Sequence, residues 1–329
     1  MLLSSFRRAF TIPVTCVLAA TGTYLAAGCG NQPGTDSTAD NHASASTPAS
    51  PQRQAFTFGA GYGTTVPADQ AGHQWAPAAS AAITPGIQTY THGAVQCTAN
   101  YVFVDDTGHV YIGQAAHCAT TGQVTDTDGC TASSLPLGTA VSLNRNGSLV
   151  SGATTTAAGQ LAYSSWLTMQ ETGEKDQNTC AYNDFALVKL APEDIGKVNP
   201  SLPYWGGPVG INTSGTNAGD RLYSYWNSIL RGGIATLSPQ VGESKIDDIA
   251  ASGWTHAFVA PIPGIPGDSG SAFLDRDGYA LGTLSTLAIA LPIVNNVGDI
   301  GRELAYARTH SGISGLRLVL GTEPFTPNR

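Results

Sequence analysis

Residues 99–113, "ANYVFVDDTGHVYIG", place two runs of β-branched and aromatic residues on either side of Asp-Thr-Gly. Val, Ile, Tyr and Phe suit a pleated, half-buried surface, and the glycine supplies a turn, so the stretch predicts a β-hairpin. The design returns at 271–289, "SAFLDRDGYALGTLSTLAI", with Asp-Gly at the turn. Further strand candidates are "QTYT" (88–91), "AVSL" (140–143), "ALVKL" (186–190), "RLYSYW" (221–226), "GGIATL" (232–237) and "THAFVA" (255–260). A helical period appears only in "GDIGRELAYART" (298–309). Many short strands from about residue 85 onward, with no strand–helix alternation and no solenoid repeat, predict an all-β barrel or sandwich pair.

Composition agrees with a folded domain outside the cytosol. Of 329 residues, 42% are hydrophobic, enough for one large domain or two small ones, and only 12% are charged. The formal net charge is −8 and no basic tract follows residue 10, which argues against a nucleic-acid partner.

The N-terminus reads as an export signal: "MLLSSFRRAF" is a positive head, and "TIPVTCVLAATGTYLAAG" is an apolar run ending in small residues. The competing reading, a membrane-spanning helix, fits less well with so short a run rich in Ala, Gly and Thr. "LAAGC" resembles the lipobox of bacterial lipoproteins, in which Cys29 would be lipidated after removal of residues 1–28. "RRAF" resembles, more loosely, the core of a twin-arginine signal. Residues 29–55 are small, polar and dotted with Pro, and are expected to form a disordered tether because they cannot bury enough apolar area to fold. Residues 56–84 then form an N-terminal extension. The expected location is outside the cell, lipid-anchored at the membrane or secreted.

Cys16 leaves with the signal, so Cys97, Cys118, Cys130 and Cys180 remain for the folded part. Four cysteines in an exported chain predict two disulfides, with three possible pairings. No C-x-x-C or H-x-x-x-H spacing supports a zinc site, and no metal or cofactor is expected. If Cys97 joined Cys118 and Cys130 joined Cys180, each loop closure would contribute about 3–4 kcal/mol.

Three segments carry chemistry. "GQAAHCAT" sets His117 at a strand end, "NDFALVKL" sets Asp184 before an apolar run, and "GDSGSAF" sets Ser269 among glycines. Singly, each has an ordinary structural explanation: a satisfied histidine, a strand-start aspartate, a tight turn. Together, and in the order His, Asp, Ser, they supply a nucleophile, a base to take its proton and an acid to orient that base. Gly267 would let the backbone approach a substrate carbonyl, and Gly270 leaves room behind the serine.

"AAHC", "NDFALVKL" and "GDSGSA" resemble the three signature segments of the trypsin/chymotrypsin-like serine proteases, the bacterial members most. The resemblance spans about residues 85–322, although identity at the motifs covers only some twenty positions. It implies two antiparallel β-barrels, about 85–200 and 201–322, with the active site in the cleft between them and a short C-terminal helix. His117 would be the general base, Asp184 its orienting acid and Ser269 the nucleophile. The backbone N–H groups of Gly267 and Ser269 would form the oxyanion hole. Ser285, in "LGTLST", would hydrogen-bond the aspartate, and Cys118 would pair with Cys97. The implied function is serine endopeptidase action on a peptide or protein substrate, with no cofactor. The oligomeric state is open.

The sequence also departs from that family. No Ile-Val-Gly-Gly segment precedes the first barrel, where "AAITPGIQTYTHGA" stands instead, so activation by cleavage is not expected. Asp268 therefore needs a partner that the sequence does not identify. Pro263 occupies the position of the acid that reads Arg or Lys in trypsins, and Ser271 and Ala272 replace a common Gly-Pro. The α/β-hydrolase pattern G-x-S-x-G fails at Ser271, and no early serine with a late D-x-x-H suggests a GDS-type lipase. The remaining alternative is a catalytically silent lipoprotein of protease-like fold that binds peptides or a partner. The intact set of three residues disfavours it.

Overall fold

Both hairpins form as their sequences predict, and their turns are built alike. The computed structural model describes residues 64–122, 127–245, 251–288 and 294–327, all within one compact unit, Gln54–Arg329. Asp105 Oδ1 accepts the N–H groups of Thr107 and His109 at 2.8 and 2.9 Å. Asp275 Oδ1 accepts those of Asp277 and Tyr279, both at 2.9 Å. Gly108 and Gly278 take φ of 82° and 86° at matching places, a conformation that strains any residue with a Cβ. The same turn chemistry thus closes one hairpin in each half of the domain.

The first half contains β1 (Thr65–Val66), β2 (Gln88–Thr91), β3 (Gln96–Thr98), β4 (Val102–Val104), β5 (Val110–Gln114), β6 (Ala140–Arg145), β7 (Thr154–Ser164) and β8 (Ala186–Leu190). Two short helices, α1 (Ser165–Thr172) and α2 (Gln177–Tyr182), lie between β7 and β8. The second half contains β9 (Arg221–Tyr225), β10 (Pro239–Ser244), β11 (Thr255–Val259), β12 (Ala272–Leu274), β13 (Ala280–Ala288) and β14 (Val294–Asp299). It ends in helix α3 (Ile300–His310) and β15 (Arg317–Val319), which returns to pair with β1 and β4 of the first half.

The second half is a closed six-stranded barrel in the order β10-β11-β14-β13-β12-β9. The first is a sheet in the order β1-β15-β4-β5-β8-β7-β6-β2-β3. It closes because β3 and β4 are two halves of one bent segment. Around the bend, Ala99 exchanges hydrogen bonds with Gly86 and Ile87, extending β2, while Asn100 and Tyr101 bond Gly113 of β5. The fold is therefore all-β with two antiparallel barrels, as the sequence implied.

Each barrel is filled by the apolar face of its strands. Val102, Val104, Ile112, Val141, Leu143 and Val188 are buried in the first, and Leu222, Trp226, Phe258, Phe273, Leu284 and Val297 in the second. Burying each such side chain contributes about 1.5–3 kcal/mol. Phe258 and Phe273 meet edge to face with ring centroids 4.8 Å apart. Tyr101 links the barrels: its buried hydroxyl donates to the Phe273 carbonyl at 2.5 Å.

Some sequence expectations are corrected. "GGIATL" forms no strand: Gly232 and Gly233 make a turn, Ala235–Leu237 a single tight helical turn, and β10 begins after them at Pro239. Both glycines are φ-positive and open the run with that turn, and Ala235–Leu237 coil instead of extending, so the run presents no pleated face. Strand β7, "TTTAAGQLAYS", was absent from the expected set because its exposed end is polar and its glycine interrupts the pattern. Helices α1 and α2 were not expected either. Residues 64–84 run onto the first barrel, where Ile83 is fully buried and bridges Val198. The signal, Cys29 and the tether lie outside the described residues. Within those residues, no helix is long and apolar enough to cross a membrane.

Candidate active site

His117 stands in the tight turn Ala116–Ala119 that follows β5, and Asp184 stands between α2 and β8. Both disulfides expected from the four cysteines form, Cys97–Cys118 and Cys130–Cys180, so these sulfurs are committed to covalent bonds. The first ties the residue after His117 to β3, and the second anchors α2 just before Asp184.

The Asp184 carboxylate is buried and accepts three hydrogen bonds. The His117 backbone N–H donates to Oδ1 at 2.9 Å, His117 Nδ1 lies 2.6 Å from Oδ2, and the Ser285 hydroxyl donates to Oδ2 at 2.6 Å. An ionised carboxylate only accepts, so Nδ1 carries the proton and the neutral imidazole keeps a lone pair on Nε2. The His117 side chain is 19% exposed, so one side of the ring remains reachable from solvent. Burial disfavours the charged imidazolium, but the charge and hydrogen bond of Asp184 outweigh it and raise the His117 pKa. Burial likewise pushes Asp184 up, and His117 together with the Ser285 and backbone donors brings it below its ordinary value.

Ser269 sits in the turn before β12. Gly267 and Gly270 take φ of 95° and 89°. A Cβ on Gly270 would lie 2.4 Å from the Thr98 carbonyl oxygen, so no side chain fits there. The turn is pinned to both barrels: Thr98 N–H donates to the Ser269 carbonyl at 2.8 Å, and Gly270 N–H donates to Leu284 at 2.7 Å. Thr98 follows Cys97, which is bonded to the neighbour of His117; Leu284 precedes Ser285, which is bonded to Asp184. A closed ring of bonds thus passes through all three residues. His117 and Asp184 touch directly, whereas Ser269 joins the ring through its backbone. Among the described residues, no hydrogen bond engages the Ser269 hydroxyl or the N–H groups of Gly267 and Ser269.

The partner of Asp268 is Arg231, a residue the sequence reading did not single out. Both side chains are buried, and the Asp268 carboxylate also accepts the N–H groups of Ser228 and Ile265 at 3.1 and 2.9 Å. Arg231 Cζ lies 5.0 Å from the centre of the Trp226 ring, a cation–π arrangement. The only signal in the sequence was one cation in the apolar stretch "WNSILRGG", which gives no distance to Asp268.

No family model matches the sequence, and no curated protein matches it. Solved structures of similar fold include protease A of Thermobifida fusca, 15% identical, covering 73% of this chain and 99% of that one with a TM-score of 0.40. Nocardiopsis protease is 16% identical, covering 72% and 98%, with a TM-score of 0.41. The thermostable serine protease AL20, from an extremophilic microorganism, is 15% identical, covering 72% and 100%, with a TM-score of 0.43. These chains are similar in structure to this one; the two-barrel architecture itself is read from this chain's own strand pairing.

Proposed function

We propose that the chain is an exported serine endopeptidase that hydrolyses peptide bonds through Ser269, His117 and Asp184. The observation that carries this reading is the His117–Asp184 pair, which leaves Nε2 basic, in a fold that packs the glycine-flanked Ser269 turn against Ala115, two residues before His117. Ser269 Oγ attacks the scissile carbonyl carbon while His117 Nε2 takes the hydroxyl proton. The carbonyl oxygen becomes an oxyanion, held by the unengaged N–H groups of Gly267 and Ser269. Collapse expels the amine, which receives its proton from His117 and leaves an acyl-enzyme at Ser269. Water, deprotonated by His117, then releases the acid and restores the serine. Asp184 fixes the tautomer throughout and stabilises the transient imidazolium. The buried Arg231–Asp268 pair holds the serine turn without a newly cut N-terminus, so the enzyme is active as folded.

A fluorophosphonate probe tests the nucleophile. Wild type labels at Ser269 and Ser269→Ala does not, while turnover falls by about 10⁴–10⁶-fold in Ser269→Ala with the fold retained. Equal labelling of the two, or no labelling of wild type, would overturn the assignment. The anchor belongs to the same proposal: export followed by lipidation at Cys29 places the domain on the outer face of the membrane, on a tether of residues 29–55.

A further inference from the structure

Glu303 is a fully buried carboxyl that the reaction above does not use. It lies in the first turn of α3, and its two oxygens reach different parts of the fold. Oε1 accepts the backbone N–H of Asp184 at 3.3 Å, and Oε2 accepts the hydroxyl of Thr283 at 3.1 Å. Thr283 also accepts from Asn100 Nδ2 at 3.2 Å, at the bend that closes the first barrel. The room for this carboxyl exists because residue 298 is glycine: a Cβ there would lie 2.4 Å from Oε1.

Thr283 and Ser285 both belong to β13. Ser285 holds the Asp184 carboxylate from that strand, and Glu303 joins the Asp184 main chain to the same strand through Thr283. We propose that Glu303 is a positioning residue, which fixes the register of Asp184 against β13 so that one carboxylate meets both His117 and Ser285. Its catalytic consequence rests on the serine-peptidase reading; the link itself does not.

Both of these bonds are accepted by the carboxyl, so its two oxygens hold the Asp184 main chain and the Thr283 hydroxyl without donating a proton. Burial, then the charge of Asp184, with a further push from Asp299, holds its pKa well above the ordinary carboxylate range. The buried phenols of Tyr101 and Tyr163 face it as well, and the groups that shift its pKa are Asp184, Thr283 and Asp299. A second negative charge here would favour protonation of Asp184 and so loosen its hold on His117. Glutamine keeps an acceptor for the Asp184 N–H and donates from Nε2 to the Thr283 hydroxyl oxygen, whereas alanine removes both contacts.

The test compares wild type, Glu303→Gln and Glu303→Ala in the full chain, each normalised by fluorophosphonate titration of active sites. A second readout is the NMR titration of the His117 imidazole. In Glu303→Ala, kcat falls roughly 10- to 100-fold with little change in KM. Its His117 pKa drops from the raised value toward about 6.5, and Glu303→Gln restores both quantities. Glu303→Ala with wild-type kcat per titrated site and an unmoved His117 titration would overturn the proposal. If Glu303→Ala does not fold, Gly298→Ala displaces the carboxyl while keeping it. Unchanged kcat and His117 titration in that variant also overturn it. If wild type fails to label at all, the peptidase reading falls, and the His117 titrations still decide whether Glu303 positions Asp184.

Discussion

Arg231 Nε lies 3.0 and 3.1 Å from the two carboxylate oxygens of Asp268, and Nη2 lies 2.5 Å from Oδ2. The residue before the candidate nucleophile is thereby fastened to the loop between β9 and β10. Removing one member of a buried ion pair leaves an uncompensated charge, whereas removing both leaves only a packing defect.

Arg231→Met is therefore expected to lose about 3–5 kcal/mol in urea unfolding. It should also lose turnover, because the Ser269 turn is released. The double variant Arg231→Met/Asp268→Asn should be more stable than Arg231→Met alone. Equal stability of the two would mean that the pair does not hold the turn.

The raised pKa of His117 sets the acid side of the pH profile. Catalysis needs a neutral imidazole, so kcat/KM should rise with pH around an inflection above the ordinary imidazole value of about 6.5. The stability linked to His117 runs the other way: it is complete below the unfolded value and declines as pH climbs through the raised one. The Asp184 contribution is present above its unfolded value of about 3.9 and disappears as pH falls through its lowered one. An inflection below 6.5 in a steady-state profile would count against the Asp184–His117 coupling.

Glycine at 270 is demanded twice, by a φ of 89° and by the Thr98 carbonyl 2.4 Å from any Cβ. Gly270→Ala should cost at least roughly 1–3 kcal/mol and displace Ser269. At Gly267 the obstacles are side-chain ends, Gln96 Oε1 and Ser228 Oγ, which can shift. Gly267→Ala should accordingly fold better than Gly270→Ala yet lose acyl-enzyme formation, measured as a stopped-flow burst. A Gly270→Ala protein as stable as wild type in thermal melts would contradict this packing account.

Lipidation at Cys29 is checked by fractionation. Cys29→Ser should move the protein from the membrane to the soluble fraction without affecting hydrolysis by the folded domain. Retention on membranes would point to a spanning helix at the N-terminus.

Both hairpins were legible in the chain because their information is local: alternating β-branched residues, and an Asp-Gly or Thr-Gly turn whose aspartate caps two N–H groups. Five of the six further candidates form strands β2, β6, β8, β9 and β11, but "GGIATL" does not, since its leading glycines turn the chain at positive φ. Strand β7 escaped notice for the opposite reason, because its pairing with β6 and β8 stabilises a sequence of modest β preference.

Among the site residues, the motifs around His117, Asp184 and Ser269 announced themselves through their neighbours in sequence, and the contacts of Ser285 and Cys97 followed from the resemblance. Arg231 and Glu303 carried no such mark. One is a lone cation among apolar residues, the other an ordinary-looking acid on an amphipathic helix. The amino-acid sequence by itself determined the strand-rich architecture, the chemical groups available and the turns that shape them. Tertiary structure alone decided which buried charge meets which partner. Folding makes a distant arginine the counter-ion of Asp268, and burial beside Asp184 raises the pKa of Glu303; neither desolvation nor proximity is encoded at any single position of the chain.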